Sequence, residues 1–312
     1  MTNSIIKYIR HRPEKFTIWI EGRNRVLVKV SYGPGKSGKK RTFYSVLGAK
    51  SISLLSCYYE KVSIGEYIVP VKMYTKKDGN QYLETYWDDE NHGLRVIGNY
   101  VCDLFRQDLA CVKLVKDHIE MFEWAHYRQP SIPQITVAKW VSDEDFKYII
   151  SKSNSKLFLA ENVLSKKFRF ENFDKRVDAI ALNNCHWITV ENIMSLNSCR
   201  IQVVDKRFTC KEMNRILKHW MNGGSPRLNH LRLYLDEVNE EKCLEGLKEY
   251  LIEGKPGERY FKALYGGDYT FNNVGLQRAD GKIASFKISL DYILFIFVVW
   301  PDAKGRSFES FD

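Results

Sequence analysis

Gly33-Pro34-Gly35-Lys36-Ser37 is the string that comes closest to a site for chemistry, because Gly-Lys-Ser ends the loop that cradles nucleotide phosphates. That loop needs a further glycine five positions before Gly35, where Val30 stands, and a helix after it. Here Lys39-Lys40-Arg41 leads into the strand-like stretch Thr42 to Leu47, so the string reads as a basic hairpin loop. Cys185-His186 joins a nucleophile type to a base type, but neighbours along a strand point to opposite faces and would not meet. His219, beside Trp220, reads as a solvated histidine at the polar edge of a helix. Cys199, Cys210 and His219 come nearest to a zinc set, yet lack a C-x-x-C-like element. Asp143-Glu144-Asp145 and Glu240-Glu241 fall in the first turns of helices, where the macrodipole favours acids. The expectation is a protein with no catalytic residue, no cofactor-binding residue and no metal ligand, and therefore not an enzyme.

Charge is the other candidate for function. The net charge is +10, and residues 1–60 hold 12 Lys or Arg against 3 acids. Within that region Arg23, Arg25, Lys29, Lys36, Lys39, Lys40 and Arg41 are interleaved with Trp19, Tyr32, Phe43 and Tyr44, a combination able to bind nucleic acid or an acidic partner. Aromatics in alternating strands are more often core and basic runs more often a solvated face, so this remains the alternative reading.

The elements that would position such residues follow from pattern. A chain of 312 residues, 44% hydrophobic and 13% aromatic, can bury a sizeable core. Its longest apolar run, Tyr292 to Trp300, is about half of the roughly 20 residues a membrane helix requires, and no signal peptide is evident. Seven cysteines lack zinc or disulfide spacing and read as reduced, buried thiols. An intracellular protein, cytoplasmic or nuclear and without a membrane partner, is expected.

The first third alternates as strands: Phe16, Ile18 and Ile20, then Val26, Val28 and Val30, then Ile68 to Tyr74 and Gln81 to Trp87, with Asp78-Gly79 as a hairpin turn. Helical spacing over Asn91 to Val115 predicts a closing helix with Leu94, Ile97, Val101, Leu104 and Phe105 on one face. From Ile132 to Leu251 a leucine-rich-repeat rhythm of strand and helix begins. Its instances are Ile132, Ile135, Val137 and Trp140; Leu157, Leu159 and Asn162; Val177, Ile180, Leu182 and Cys185; Ile201 and Val203; and Leu228, Leu231, Leu233 and Asp236. The second apolar positions, 135, 157, 180, 201 and 231, are separated by 22, 23, 21 and 30 residues. Ser142 with Asp145, Thr209 with Glu212, and Asn239 provide helix starts. The clearest helix runs from Thr209 to about Asn222, with Met213, Ile216, Leu217, Trp220 and Met221 as its buried stripe and Gly223-Gly224 as its stop. Asp280-Gly281 and the β-rich run Ile293 to Trp300 predict a C-terminal β hairpin closing the stack.

The run His186 to Leu196, Cys199 to Ile201, Phe208-Thr209, Met213 to Trp220 and Gly223 to Leu228 resembles the nematode F-box-associated domain of the second type, over Val177 to Asp236. The resemblance implies a protein-binding module that recognises the target of an F-box-type ubiquitin ligase, with the ligase adaptor as a second partner docking an F-box. Only 15 residues precede Phe16, and Ser4 to Arg12 is the length of no more than the tail of one. The expected fold is α/β: a leucine-rich-repeat-like strand-helix stack preceded by an antiparallel β unit. The expected organisation is a tail of a lost F-box at 1–15, a β-rich unit with its helix at 16–125, the repeat-like domain at 126–265 and a capping β segment at 266–312. Trp187, Leu196, Ile201, Ile216, Leu217 and Trp220 are expected to pack the repeats together.

Overall fold

The computed structural model describes residues 15–21, 25–34, 40–56, 58–75, 81–115, 118–138, 140–161, 163–171, 173–254, 259–262, 268–289, 293–301 and 308. The chain divides into two compact units, Met1–Ser155 and Lys156–Asp312. Both are mixed α/β structures built on a sheet.

In the first unit the elements run β1 (Lys15–Glu21), β2 (Arg25–Pro34), β3 (Lys40–Ser51), β4 (Glu60–Ile64), β5 (Tyr67–Thr75), β6 (Gln81–Trp87), α1 (Glu90–Phe105), β7 (Leu109–Leu114), α2 (His118–Arg128), β8 (Gln134–Val137) and α3 (Asp143–Lys152). The strand order is β8-β7-β1-β2-β3-β6-β5-β4. Strands β1 to β3 and β4 to β6 pair antiparallel, whereas β3–β6, β1–β7 and β7–β8 are parallel. Ile18, Ile20, Val71 and Leu83 are buried, as their alternation predicts. Thr75 stands opposite Gln81, the register a turn at Asp78-Gly79 would set, although those two residues lie outside the described ones.

The helix predicted over Asn91 to Val115 is shorter. Asp89 caps α1 through Asn91 N, and Arg106 ends it in the left-handed region at φ 50°. Leu109 to Leu114 is then a strand between β1 and β8, with Leu109, Cys111, Val112 and Leu114 buried. A parallel strand covered on both faces carries a near-continuous apolar run, which in sequence prolongs the helical pattern before it.

The second unit contains β9 (Leu157–Ala160), β10 (Arg176–Leu182), α4 (Val190–Ser195), β11 (Asn197–Phe208), α5 (Cys210–Met221), β12 (His230–Leu235), α6 (Glu240–Cys243), β13 (Leu251–Glu253), β14 (Arg259–Lys262), β15 (Asp268–Phe271), β16 (Val274–Gln277), β17 (Ile283–Ser289) and β18 (Leu294–Trp300). Its sheet runs β9-β10-β11-β12-β18-β17-β16-β13, and β14 with β15 forms a separate hairpin. Strands β9 to β12 are parallel to their neighbours, so each crossover must return along the sheet, and α4 and α5 lie in two of the crossovers. Strand β18 lies antiparallel against β12 and ends the parallel set. Gly281, at φ 83°, makes the turn from β16 to β17.

Register assigns the sheet's faces. Phe158, Ile180, Ile201, Leu231 and Phe297 follow one another across β9, β10, β11, β12 and β18, and each is at most 1% exposed. Phe158 therefore occupies the place the repeat pattern assigned to Leu157. A one-residue slip exchanges the faces, and Leu157 and Leu159 lie half-buried opposite the core. Asn162, the pattern's next position, lies outside the described residues. Helix α5 packs on the core side, where the Trp220 ring meets Phe297 edge-on at 5.1 Å. Trp187, Leu196, Ile201, Ile216, Leu217 and Trp220 are all buried. Trp140 departs from the pattern: it is 85% exposed and stands at φ 72°.

Helix starts follow the expected chemistry. Ser142 Oγ accepts from Asp145 N, Thr209 and Glu212 form a reciprocal capping box, and Asn239 accepts from Lys242 N. A second box, Thr189 with Asn192, starts α4. Below it Phe168, Phe170 and Phe173 gather around Trp187, with ring centroids 5.5, 6.1 and 5.5 Å from it.

Candidate functional site

The second unit's sheet has one face packed against α5 and another that is only partly covered. On that other face β15 lays Tyr269 and Phe271 over the β12, β17 and β18 end, where Leu294, Ile296, Val298 and Trp300 bury themselves with Phe308. Toward β9 the face is only partly covered and forms a small, shallow recess lined by Leu157, Ala179, Ala181, Arg200, Gln202 and His230 together with the Ile180 and Ile201 strands. Leu157, Ala179 and Ala181 make its walls apolar, and Arg200 and His230 are register partners at its inner end.

Four polar residues from three strands gather beside it: Arg200 and His230 line the recess, and Arg232 and Tyr269 lie next to His230. His230 is 4% exposed, and the Tyr269 ring lies nearly parallel to it with centroids 5.9 Å apart. Burial, reinforced by the positive charges of Arg200 and Arg232, pushes the imidazole down to about 3, so it is neutral at physiological pH. Burial pushes the Tyr269 phenol up, an effect the Arg232 charge partly offsets. Nη1 of Arg200, Nε of Arg232 and the hydroxyl of Tyr269 are buried and have no hydrogen-bond partner among the described residues. Arg232 makes one long contact, 3.5 Å from Nη2 to the Tyr234 hydroxyl. A guanidinium nitrogen removed from water without an acceptor costs free energy, and among the described residues these nitrogens have none.

The residues weighed from sequence fall elsewhere. Cys185 lies in the turn after β10, not in a strand, and its thiol donates to the carbonyls of Leu182 at 3.4 Å and Val204 at 3.5 Å. Burial pushes that thiol up to about 12, which leaves it protonated and unreactive. His186 is exposed and bonds the Ser165 carbonyl at 2.9 Å. His219 is not a solvated histidine: its Nε2 is buried and its ring packs against Gly224. The described cysteines are free, and Cys102, Cys111, Cys185, Cys210 and Cys243 are buried. Among the described residues no group of three His, Cys, Asp or Glu has metal-binding geometry, and no helix is long and apolar enough to cross a membrane. Of Gly33 to Ser37, the last three lie outside the described residues, and Lys40 begins a strand rather than a helix. The basic residues Lys29, Lys36, Lys39, Lys40 and Arg41 and the aromatics Tyr32, Phe43 and Tyr44 lie outside the residues whose side chains are described.

The first unit offers two polar places of its own. Glu84 accepts from Lys50 at 2.7 Å, Tyr74 at 3.0 Å and Tyr86 at 3.2 Å. Burial works against ionisation of Glu84, but these three donors outweigh it and hold the carboxyl below its ordinary range. Every polar group of that network is engaged by another, so it ties β3, β5 and β6 together. A shallow hollow of about 1220 Å³ on α1 is lined by Tyr67, His92, Arg95, Asn99, Tyr100 and Trp124, and Arg95 is paired with Glu120. In neither place is a half-buried guanidinium without a carboxylate among the described residues, as Arg200 and Arg232 are in the second unit.

Sequence reasoning did not single out Arg200, His230, Arg232 or Tyr269. A signal was present in the strand alternation: Arg200 and Gln202 flank the core residue Ile201, and His230 and Arg232 flank Leu231, so both pairs must face away from the core.

Residues 165–233 match the model of the F-box-associated family. Over 139 residues, covering 40% of this chain and 31% of the relative, the chain is 27% identical to an uncharacterized protein of Caenorhabditis elegans. Over 114 residues, covering 36% of this chain and 31% of the relative, it is 27% identical to the Skn-1 dependent zygotic transcript 15 protein of the same organism. The chain thus spans about a third of the length of these curated relatives. No solved structure matches. The family match runs from before β10 to within β12 and includes Arg200, His230 and Arg232, so the segment that builds most of the open face is the segment that resembles the nematode F-box-associated family.

Proposed function

We propose that this chain is a non-enzymatic, intracellular protein-binding module, the target-recognition part of an F-box-type ubiquitin ligase receptor. The observation that carries this reading is the half-open face of β9 to β12. It lies within and beside the family-matched segment, and it combines apolar walls with unpaired polar groups. A sheet face that is apolar yet uncovered, with a few polar groups to fix orientation, suits the docking of a polypeptide. The parallel strands, with α4 and α5 in their crossovers, support a leucine-rich-repeat-like arrangement, in which one side of the strands is left to a partner. The polar clusters are closed networks or unpaired cations, an arrangement that favours binding over chemistry.

The test is quantitative affinity purification of the full chain from nematode cells, set against variants with Leu159→Lys and Ala181→Trp made separately on the open face. Proteins recovered with the parent and lost with both variants, at unchanged melting temperature, support the reading. Co-recovery of the ligase adaptor supports the ubiquitin connection. Equal recovery of every partner by parent and variants overturns the assignment of the open face.

A further inference from the structure

Three arginines of the second unit hold an acid. Arg215 holds Glu191 at 2.6 Å, Arg227 holds Asp178 at 2.6 Å, and Arg278 holds Asp280. Arg200 and Arg232 hold no carboxylate among the described residues, although both are half-buried and each buries a nitrogen with no acceptor. They are close neighbours: Arg200 is the register partner of His230, and Arg232 lies two residues further along β12 on the same face. Tyr269 contributes a third unpartnered donor, beside the same imidazole. The two guanidinium groups can only donate, the Tyr269 hydroxyl can donate as well as accept, and His230, which lies among them, is buried.

Among the described residues such a site holds no anion. Two guanidinium groups and a hydroxyl match the oxygens of a carboxylate, which Arg engages through paired N–H groups. The recess beside them is walled by Leu157, Ala179 and Ala181 and also carries the Gln202 amide, which can both donate to and accept from a peptide backbone. We propose that Arg200, Arg232 and Tyr269 receive an Asp or Glu side chain from an acidic segment of the bound protein, whose neighbouring apolar residues lie against the apolar rim of this recess. The inference rests on the protein-binding reading and names the chemistry of its partner. A phosphodiester backbone is the poorer occupant. Nucleic acid engages an extended exposed basic track, whereas these two cations are sunk beside apolar walls.

The probe is a fluorescein-labelled hexaglutamate peptide, read by fluorescence anisotropy with the full chain. Arg200→Gln and Arg232→Gln are each expected to weaken binding by about 10- to 100-fold, the range of one charge-assisted contact. The triple change Lys39→Gln, Lys40→Gln, Arg41→Gln removes more charge and is expected to weaken it less than about threefold if the contact is specific and not a matter of net charge. In the unmodified chain, hexaglutamate should also bind more tightly than hexaglutamine, a measurement independent of how any variant folds. Equal losses from the triple change and the arginine changes, or equal binding of the two peptides, overturn the proposal. So does a single-stranded oligonucleotide that binds more tightly through the same two arginines. If the peptide ignores the arginines while Leu159→Lys and Ala181→Trp still lose cellular partners, the carboxylate assignment fails and the protein-binding reading stands. If those variants keep every partner, that reading fails.

Discussion

Arg200 on β11 and His230 on β12 stand in direct register, and their pairing places a guanidinium beside an imidazole that is 4% exposed. Burial of that ring, with this charge beside it, makes the unit acid-sensitive. Folded His230 binds its proton only near pH 3, while an unfolded histidine does so near 6.5, so between these values the unfolded chain holds the extra proton. Stability from this group is complete above about pH 6.5 and declines as pH falls, by up to about 1.4 kcal/mol per pH unit. Arg200, Arg232 and Tyr269 face the ring from β11, β12 and β15, and the two cations deepen the effect that burial begins. Urea unfolding across that range should show a shallower pH dependence for His230→Gln than for the parent. Parallel curves would overturn the assignment of a neutral buried imidazole.

Trp220 is the largest buried side chain of α5, 2% exposed, edge-on to Phe297 and beneath the Arg278 guanidinium, whose carbon is 5.0 Å from the ring centre. Arg278 also donates to the Trp220 carbonyl at 3.2 Å, so the indole fills the space between the helix and the C-terminal strands. Trp220→Ala should lower unfolding free energy by about 3–5 kcal/mol, and Trp220→Phe by less, because a ring remains against Phe297. Denaturant midpoints of the three proteins provide the comparison, and equal midpoints would remove Trp220 from the core.

Gly223 and Gly224 stop α5 for different reasons. Gly223 takes φ 88°, which other residues adopt at a cost, whereas a Cβ at Gly224 would lie 2.2 Å from Nε2 of His219. Gly224→Ala should therefore cost about 1–3 kcal/mol through the displaced imidazole. The double change His219→Ala with Gly224→Ala should recover most of the loss attributable to that contact. A strictly additive double-mutant cycle would place the cost elsewhere.

The difference between what was readable and what was not follows residue by residue. Helix α5 was legible because its stripe, its Thr209–Glu212 cap and its glycine stop all lie within one short stretch. The face of β9 was not, because Leu157-Phe158-Leu159-Ala160 is apolar at every position and alternation cannot choose between the two registers; pairing with Ile180 decides for Phe158. The Phe168, Phe170, Phe173 and Trp187 cluster and the Arg200, Arg232 and Tyr269 site share a second obstacle. Their members come together only through strand pairing and crossovers, and no local spacing encodes that.

Trp140 tests the boundary of the repeat pattern. It is 85% exposed at φ 72°, whereas Ile135, on the strand before it, is 1% exposed. Trp140→Gly should leave stability within about 0.5 kcal/mol of the parent, since relief of the left-handed backbone offsets the entropy glycine adds. Ile135→Ala should cost about 2–5 kcal/mol. A large loss from Trp140→Gly would mean that this indole is packed as the sequence pattern suggested.

Helix α4 is the shortest element in the family-matched segment to carry a full capping box, and its N3 residue is Asn192 rather than the usual Glu or Gln. Thr189→Ala should cost about 1 kcal/mol, as a lost N-cap does. Asn192→Ala should cost more. Its side chain accepts from Thr189 N at 3.0 Å and also donates to the Phe170 carbonyl at 2.9 Å, so removal opens the cap and strips a partner from the loop beneath Trp187. The excess, about 1–3 kcal/mol for a buried group left unbonded, is readable as a lower denaturant midpoint together with faster amide exchange at α4. Equal costs for the two changes would reduce Asn192 to a cap alone.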